Sequence, residues 1–454
     1  MDSTTTRAGA RFYINPNFAK LWIGQAVSIL GDFVFDITLI LWVAIDLAAG
    51  KSWAPLAVSG VLIAATIPVV VLGPLAGVFV DRWDKRRTML VMDVLRAVLI
   101  GMLLVFVQVA PHLFGSSTAR YADLAAVYAT VFLAATCAQF FNPSRLALIG
   151  DVVSSEDRNK ASGMGQTTMY LAGIIGPPLA GPLFFHAGAR SSLFINALSF
   201  LVSFFAILLV DPPVKVVESA SRAAPNVLRE FREGLAFFGH NRVLMTLLVS
   251  LVIVMFGAGA LNALDVFFVT VNLHTSASLY GVLSAAIGSG AVLGAIAAST
   301  LGAKIPAART FWVSLLLTSV GLLVYSRMTS FWPAVVALFV TGIPMAALNV
   351  AIMPLMLDST PREMLGRVSS VLMPVVNMAT LGSIVLAGWL AGTVMAHFRA
   401  QTLGLSFGPV DTIFFAAGVL GLVSGVYAMV GLRGAQDEHS VPESETQESI
   451  GATA

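Results

Sequence analysis

Two aspartates, Asp32 and Asp36, lie four positions apart in a long apolar stretch. On an α-helix this spacing places both side chains on one face. Two carboxylates so close together in apolar surroundings resist being ionised at the same time. We therefore predict that one of them exchanges a proton near neutral pH, as a group that couples proton movement to another process must. A hydrogen-bonded structural role inside a helix bundle is the alternative.

Three other ionisable residues are singled out in apolar stretches, away from the span ends where further charged residues lie. Asp93 and Arg96 are three positions apart, a spacing that suits an ion pair on one helix, and we predict a structural pair rather than a role in transport. Asp265 comes near the end of another apolar stretch. We expect it near the outer surface, as a candidate for a second gate or for substrate binding, with a plain carboxylate in water as the alternative.

Enzyme chemistry has little support in the remaining residues. Cys137 is the only cysteine, so no disulfide can form within the chain, and the six His residues are spread over loops, span ends and the tail. No phosphate-binding Gly-x-x-x-x-Gly-Lys-Ser/Thr motif occurs. A net charge of +2 gives no electrostatic basis for binding nucleic acid. We expect no enzyme activity, no metal site and no cofactor.

The elements that position these residues are membrane spans. The chain is 57% hydrophobic and 11% charged, whereas soluble proteins carry about 25% charged residues. Polar or Pro/Gly breaks divide it into twelve apolar runs, most of which reach the ~20 residues that cross a bilayer. The predicted spans are 18–45, 54–80, 89–110, 122–143, 162–185, 191–210, 243–271, 279–302, 310–328, 332–356, 367–395 and 411–432.

The positions of Lys and Arg predict the orientation. Of the 26 such residues, twenty fall on the side of the termini, with Arg145 counted as a loop residue, five fall on the other side, and Arg96 lies within a span. Short loops rich in Lys and Arg stay in the cytoplasm. We predict a multi-pass protein of the inner (plasma) membrane with both termini in the cytoplasm.

A long polar connection divides the spans six and six. It contains an amphipathic segment, 227–238, that we expect along the membrane surface or under the bundle, with a solvated linker as the alternative. The predicted domains are an N-terminal cytoplasmic segment 1–17, a six-helix half 18–210, a cytoplasmic linker 211–242, a second six-helix half 243–432 and a disordered cytoplasmic tail 433–454.

The most informative motif lies between spans 2 and 3, in residues 73–87, where an apolar run ends in a cluster of charge. It matches the Gly-x-x-x-Asp-Arg-x-x-Arg/Lys-Arg/Lys loop of the major facilitator superfamily. The matching residues are Gly77, Asp81, Arg82, Lys85 and Arg86. The chain resembles this family, and in particular the drug-proton antiporter branch that contains macrolide exporters. Asp84 stands where the family usually has Gly.

The resemblance implies an all-α membrane protein with twelve transmembrane helices in two pseudo-symmetric six-helix halves. It also implies a gating role for the loop. Gly77 would let span 2 approach span 11, Asp81 would face the start of span 11 at 367–370, and one of the motif's arginines would pair with an acid after span 4. Asp151 is the candidate partner.

Span 5 resembles the Gly-Pro-x-x-Gly-Gly motif of drug antiporters. The matching residues are Gly173, Gly176, Pro177 and Gly181. Pro182 replaces the last Gly and one extra residue intervenes, and Gly and Pro also serve packing and kinking alone in transmembrane helices. The stretch therefore supports antiport only in part.

A cavity between the halves would bind the substrate. A few polar groups among many Phe, Met and Leu residues suit a bulky amphipathic ligand. The polar candidates are Gln25, Gln139, Gln166, Asn262, Asp265, Asn349 and Asn377.

We predict a monomeric secondary transporter that exports amphipathic drugs, macrolide-like or of several classes, by proton antiport with rocking alternating access. Its partners would be the substrate, protons and membrane lipids. Two alternatives stay open. One is a siderophore exporter or lysolipid transporter of the same fold, and the other is a membrane sensor or assembly partner that transports nothing.

Overall fold

The computed structural model describes residues 14–80, 82–211, 227–301, 305–361, 364–402 and 405–438. These residues are almost entirely helical and divide into two compact units. The first unit takes in the described residues of Met1–Lys51, Gly60–Ala223 and Ala277–Ala285. The second takes in those of Ser52–Ser59, Ala224–Ser276 and Ala286–Ala454.

Eleven α-helices and one short hairpin make up the described chain. The helices are α1 Pro16–Trp42, α2 Ala54–Val80, α3 Lys85–Val152, α4 Arg158–Leu208, α5 Val227–His240, α6 Arg242–Val271, α7 Tyr280–Leu301, α8 Ala307–Ser326, α9 Phe331–Ser359, α10 Leu365–Trp389 and α11 Pro409–Glu438. π-Helical turns, Val43–Leu47 and Leu390–Val394, continue α1 and α10. Strands β1 Ala400–Thr402 and β2 Leu405–Phe407 pair antiparallel.

The two longest helices are broken by glycines. Gly115 in α3 and Gly188 in α4 have φ values of 73° and 77°, in a region that glycine adopts without steric cost. Within the described residues, eleven stretches are long and apolar enough to cross a membrane, and α4, with 51 residues, is counted among them once. Because α4 is more than twice the ~20 residues that span a bilayer and is interrupted at Gly188, the fold is consistent with twelve crossings.

Polar side chains at the helix starts satisfy free backbone N–H groups. The side chain of Asn15 accepts from Phe18 N at 2.8 Å, and that of Asn241 accepts from Leu244 N at 3.0 Å. Asp84 caps α3 by accepting from Arg87 N at 2.7 Å. The residue that departs from the family motif therefore has a local structural role.

In the first unit, α4 packs against α1 and α3. Gly24 and Gly31 on α1 make this contact close: a Cβ at Gly24 would stand 2.5 Å from Ala206 Cβ, and one at Gly31 would stand 2.9 Å from Asn196 Oδ1. Small residues at such contacts let helix backbones approach in a membrane.

In the second unit, α6 packs against α10 and α11, and α8 packs against α9 and α11. A buried apolar cluster that includes Phe311 and Leu315 joins these helices. The amphipathic helix α5, which falls in the predicted linker, packs on α10, with Phe238 buried in the same cluster. Its Glu233 lies 3.0 Å from Arg367 Nη1.

Some predicted boundaries are wrong. Span 4 was expected to end at 143, but the helix continues through Pro143 to Val152, so Arg145 lies in a helix and not in a loop. The end predicted for the last span, 432, is confirmed by the apolar stretch Pro409–Leu432. The helix itself continues to Glu438, into the predicted tail, and residues 439–454 lie outside the described residues.

Candidate functional site

Both aspartates of the predicted pair lie in the second half of α1. Asp32 is half-buried and Asp36 is exposed, although Asp36 is followed by an uninterrupted run of buried residues, 37–44. Neither carboxylate has a hydrogen-bond or ion-pair partner among the described residues. A carboxylate that no donor holds is free to gain or lose a proton.

Other charges of the first unit act on Asp32. Arg96, Asp93 and Arg145 lie within its electrostatic range, and Asp32 itself acts on Asp36. Arg145 is half-buried in α3. The sequence prediction counted Arg145 among the basic residues of the cytoplasmic side, because span 4 was expected to end at 143; membrane helices tolerate proline where neighbours satisfy the freed backbone groups.

The predicted pair of Asp93 and Arg96 is present in the structure. Arg96 Nη2 lies 2.5 Å from Asp93 Oδ1, and both side chains are buried. The guanidinium also lies between two aromatic rings, with its central carbon 4.3 Å from the centres of Phe141 and Phe200. Cation–π contacts of this kind stabilise a desolvated guanidinium.

The residues of the charged loop are placed only in part. Gly77 lies in the last turn of α2, Asp81 lies outside the described residues, Arg82 is exposed and Lys85 begins α3. Arg86 donates to two backbone oxygens at the end of α4, those of Ile207 at 3.2 Å and Leu208 at 2.5 Å.

These bonds use the last, otherwise unpaired carbonyls of a helix. Arg86 therefore ties the start of α3 to the end of α4 inside the first unit. Asp151, its proposed acidic partner, is half-buried in the last turn of α3, and its pairing with the motif's arginines stays a prediction.

The glycines of the antiporter-like stretch lie at close contacts. A Cβ at Gly176 would stand 2.7 Å from Phe33 Cβ on α1, and one at Gly173 would stand 3.3 Å from the ring of Phe33. A Cβ at Gly181 would overlap the carbonyl group of Ser278. A Cβ at Gly281 would likewise overlap the carbonyl group of Pro177. Packing accounts for these positions, and their role in antiport stays a prediction.

The polar cavity candidates of the first unit differ in access. Gln25 is buried and donates to Ser203 Oγ at 2.9 Å, so it joins α1 to α4. Gln139 is half-buried and donates to the backbone oxygen of Ala135 at 3.2 Å. Gln166 is exposed on α4. Of these three, Gln166 has the side chain most accessible to a ligand.

In the second unit, Asp265 differs from the expected surface carboxylate. It is buried and accepts a hydrogen bond from the hydroxyl of Tyr325, which is itself fully buried. The rings of Phe268 and Phe414 pack on Tyr325, with centres 4.7 and 6.0 Å away. The alternative of a plain carboxylate in water is wrong, because Asp265 is buried and bonded by Tyr325 of α8; its role as a gate or in substrate binding stays a prediction.

The amide candidates of the second unit are more accessible. Asn262 and Asn349 are exposed and Asn377 is half-buried. Asn349 donates to the backbone oxygen of Met345, one turn earlier, at 3.0 Å. The exposed pair are the better candidates for contact with a ligand.

Comparisons with known proteins agree with this architecture. Residues 10–447 match the family described as transmembrane secretion effectors, of the major facilitator type. Macrolide efflux protein A of Streptococcus pyogenes is 24% identical, over 83% of this chain and 90% of that protein. The putative bacilysin exporter BacE of Bacillus subtilis is 25% identical, over 69% of this chain and 73% of that protein.

Solved structures support the same fold. The nucleoside transporter NupG aligns with a TM-score of 0.68 at 12% identity, covering 92% of this chain and 99% of that one. A bacterial homologue of the iron transporter ferroportin aligns with a TM-score of 0.69 at 13% identity, covering 91% and 98%. The chain belongs to the transmembrane secretion effector family of major facilitator transporters.

Proposed function

We propose that this protein exports amphipathic small molecules, macrolide-like or of several classes, in exchange for protons that enter through Asp36. The observation that carries the proposal is the pair of carboxylates on α1, of which Asp36 is exposed and both are without a hydrogen-bond or ion-pair partner among the described residues. Asp32, half-buried one turn earlier, shares the site.

The chemistry follows from the cost of moving a charge. An ionised carboxylate resists transfer through apolar surroundings, and protonation removes this barrier. In the proposed cycle of alternating access, Asp36 takes up a proton while it is open to the outside and releases it while it is open to the cytoplasm. Asp32 and the nearby arginines set the local field, so that only one of the two carboxylates needs to carry the proton.

Two observations support the proposed substrate class. Exposed amides, Gln166, Asn262 and Asn349, are few among apolar side chains, as suits a largely apolar ligand that needs a few polar contacts. Relatives named as exporters of a macrolide and of bacilysin point to the same direction of transport. We also propose that the protein is a monomer in the inner membrane, with both termini in the cytoplasm.

The test is substrate-driven proton movement in proteoliposomes. Macrolides, cationic dyes and anionic siderophores are added one at a time to wild type, Asp32→Asn and Asp36→Asn. We expect a macrolide or a cationic compound to move protons with wild type, and no such movement with Asp36→Asn.

Asp46→Asn is the matched control. Asp46 is exposed in the π-helical turn that continues α1, and it accepts a hydrogen bond from Trp42 Nε1 at 3.2 Å. It should behave as wild type. Proton movement that is unchanged in both the Asp32 and Asp36 variants would show that the coupling site is elsewhere.

An anionic cargo, such as a siderophore or a lysolipid, is the second candidate. Arg145, half-buried in α3 and within the electrostatic range of Asp32, favours it, because a partly desolvated cation attracts anions. Anionic compounds that move protons, with loss of that movement in Arg145→Gln, would favour this candidate over the first.

A further inference from the structure

A crevice lies between α7, α8 and α9 in the second unit, at the end where α7 and α9 finish and α8 begins. Two adjoining cavities of about 520 and 620 Å³ form it, and they share the side chains of Ala298, Ile305, Pro306 and Thr310. Each is within the range of roughly 300 to 1,000 Å³ typical of small-molecule sites.

The crevice changes character with depth. Its floor includes the buried residues Gly294, Ala298 and Ser314, and its rim includes the exposed residues Ile305 and Pro306. Small side chains on α7 leave room along the floor. An elongated apolar group can enter while a polar group stays at the rim.

Two opposite charges flank the rim. Arg309, in the first turn of α8, lines one cavity, and Asp358, in the last turn of α9, lines the other. Both side chains are exposed, and neither has a hydrogen-bond or ion-pair partner among the described residues. A cation and an anion that stay apart at one membrane face suit a ligand that carries both charges.

We propose that this crevice binds one phospholipid with a zwitterionic ethanolamine headgroup from the adjacent leaflet. Arg309 would hold the phosphate, for which the planar guanidinium is well suited. Asp358 would accept hydrogen bonds from the primary ammonium, and an acyl chain would lie along the floor beside Ala298. Basic pockets between membrane helices bind lipid headgroups in this way, and the carboxylate selects against a headgroup that is only anionic.

This site is separate from the proposed transport site. It lies within the second unit, whereas Asp32 and Asp36 lie in the first. Failure of one proposal therefore leaves the other standing.

The test is native mass spectrometry of the full-length, delipidated protein, titrated with phosphatidylethanolamine, phosphatidylglycerol or phosphatidylcholine. Wild type should bind one phosphatidylethanolamine more tightly than either other lipid. Arg309→Gln should weaken its binding about tenfold, the size of one charge-assisted hydrogen bond.

Asp358→Asn should remove the preference for phosphatidylethanolamine over phosphatidylglycerol. Ala298→Leu should weaken binding of the lipid by filling the floor while it leaves both charges in place. If Ala298→Leu lowers the thermal stability of the protein, the two charge variants decide the outcome.

Arg87→Gln is the matched control, because Arg87 is an exposed arginine near the start of α3 in the first unit. It should bind the lipid as wild type does. Equal binding of all three lipids by wild type would overturn the proposal, as would charge variants that keep the wild-type affinity and preference. Preference for phosphatidylglycerol would overturn the zwitterionic assignment.

Discussion

The two units hold their carboxylates in different ways. In the first, Asp32 and Asp36 have no hydrogen-bond or ion-pair partner among the described residues. In the second, Asp265 accepts from the hydroxyl of Tyr325, and Asp411 lies 2.9 Å from Arg327 Nη1. A carboxylate with a fixed donor is committed to that contact, whereas one without a donor is available for proton exchange. We infer that the proton pathway lies in the first unit and that the acids of the second unit hold its helices together.

The first unit also contains a carboxylate that is paired, Asp93. Asp93 and Arg96 lie two turns or more inside α3, are buried and are paired at 2.5 Å. Asp93 Oδ2 and Arg96 Nε have no hydrogen-bond partner within the described part of the chain. Such a pair depends strongly on both members, so a membrane carboxylate does not by itself indicate transport.

The largest difference between the units should appear in transport. Asp36→Asn should reduce proton-driven export to the level of empty liposomes, while Asp265→Asn should keep most of it, because an Asn oxygen can still accept from Tyr325. Export of a labelled substrate under an imposed pH gradient measures both. Equal losses in the two variants would remove the distinction between the units.

The next effect concerns stability. Arg96→Met should destabilise the protein by about 3 to 5 kcal/mol, because it leaves the Asp93 carboxylate buried without its cation. Thermal unfolding in detergent measures this. The double variant Asp93→Asn with Arg96→Met should recover part of the loss, and a single variant as stable as wild type would contradict the packing described for this pair.

A smaller loss is expected in the second unit. Tyr325→Phe removes the hydroxyl that bonds Asp265, at an expected cost of about 1 to 3 kcal/mol. Tyr427→Phe, at an exposed tyrosine of α11, is the control and should change little in the same unfolding assay. If Tyr325→Phe abolished export at unchanged stability, Asp265 would belong to the transport pathway after all.

The smallest effect is expected between α5 and α10. Glu233 and Arg367 lie 3.0 Å apart and both are partly exposed, so Glu233→Gln should cost no more than about 1 kcal/mol. Their pairing is screened by salt. If Glu233→Gln lowered the unfolding temperature as much as Arg96→Met, this pair would contribute more to stability than a surface ion pair does.

The sequence indicated most of the fold, and particular residues explain where it failed. Span 2 was predicted at 54–80 and α2 has these bounds, because the run is apolar and ends in a charged turn. Span 4 was cut short at Pro143 because a proline usually ends a helix in water, whereas membrane helices keep it. Arg145 was therefore assigned to a loop.

Side-chain environment was harder to predict than position. The spacing of Asp32 and Asp36 placed them on one face, since helical geometry is local. Asp265 is bonded by Tyr325, which is distant in sequence, so the residues of α6 alone could not predict this contact. Asp81 lies outside the described residues, so its gating role stays a prediction.

The most direct test of the central proposal separates exchange from coupling in Asp36→Asn. In proteoliposomes without a pH gradient, the variant should exchange labelled for unlabelled substrate at the wild-type rate, because a neutral Asn places no charge in the apolar path. Under an imposed pH gradient it should not accumulate substrate, while Asp46→Asn accumulates it as wild type does. Gradient-driven accumulation by Asp36→Asn would contradict the assignment of the proton to Asp36.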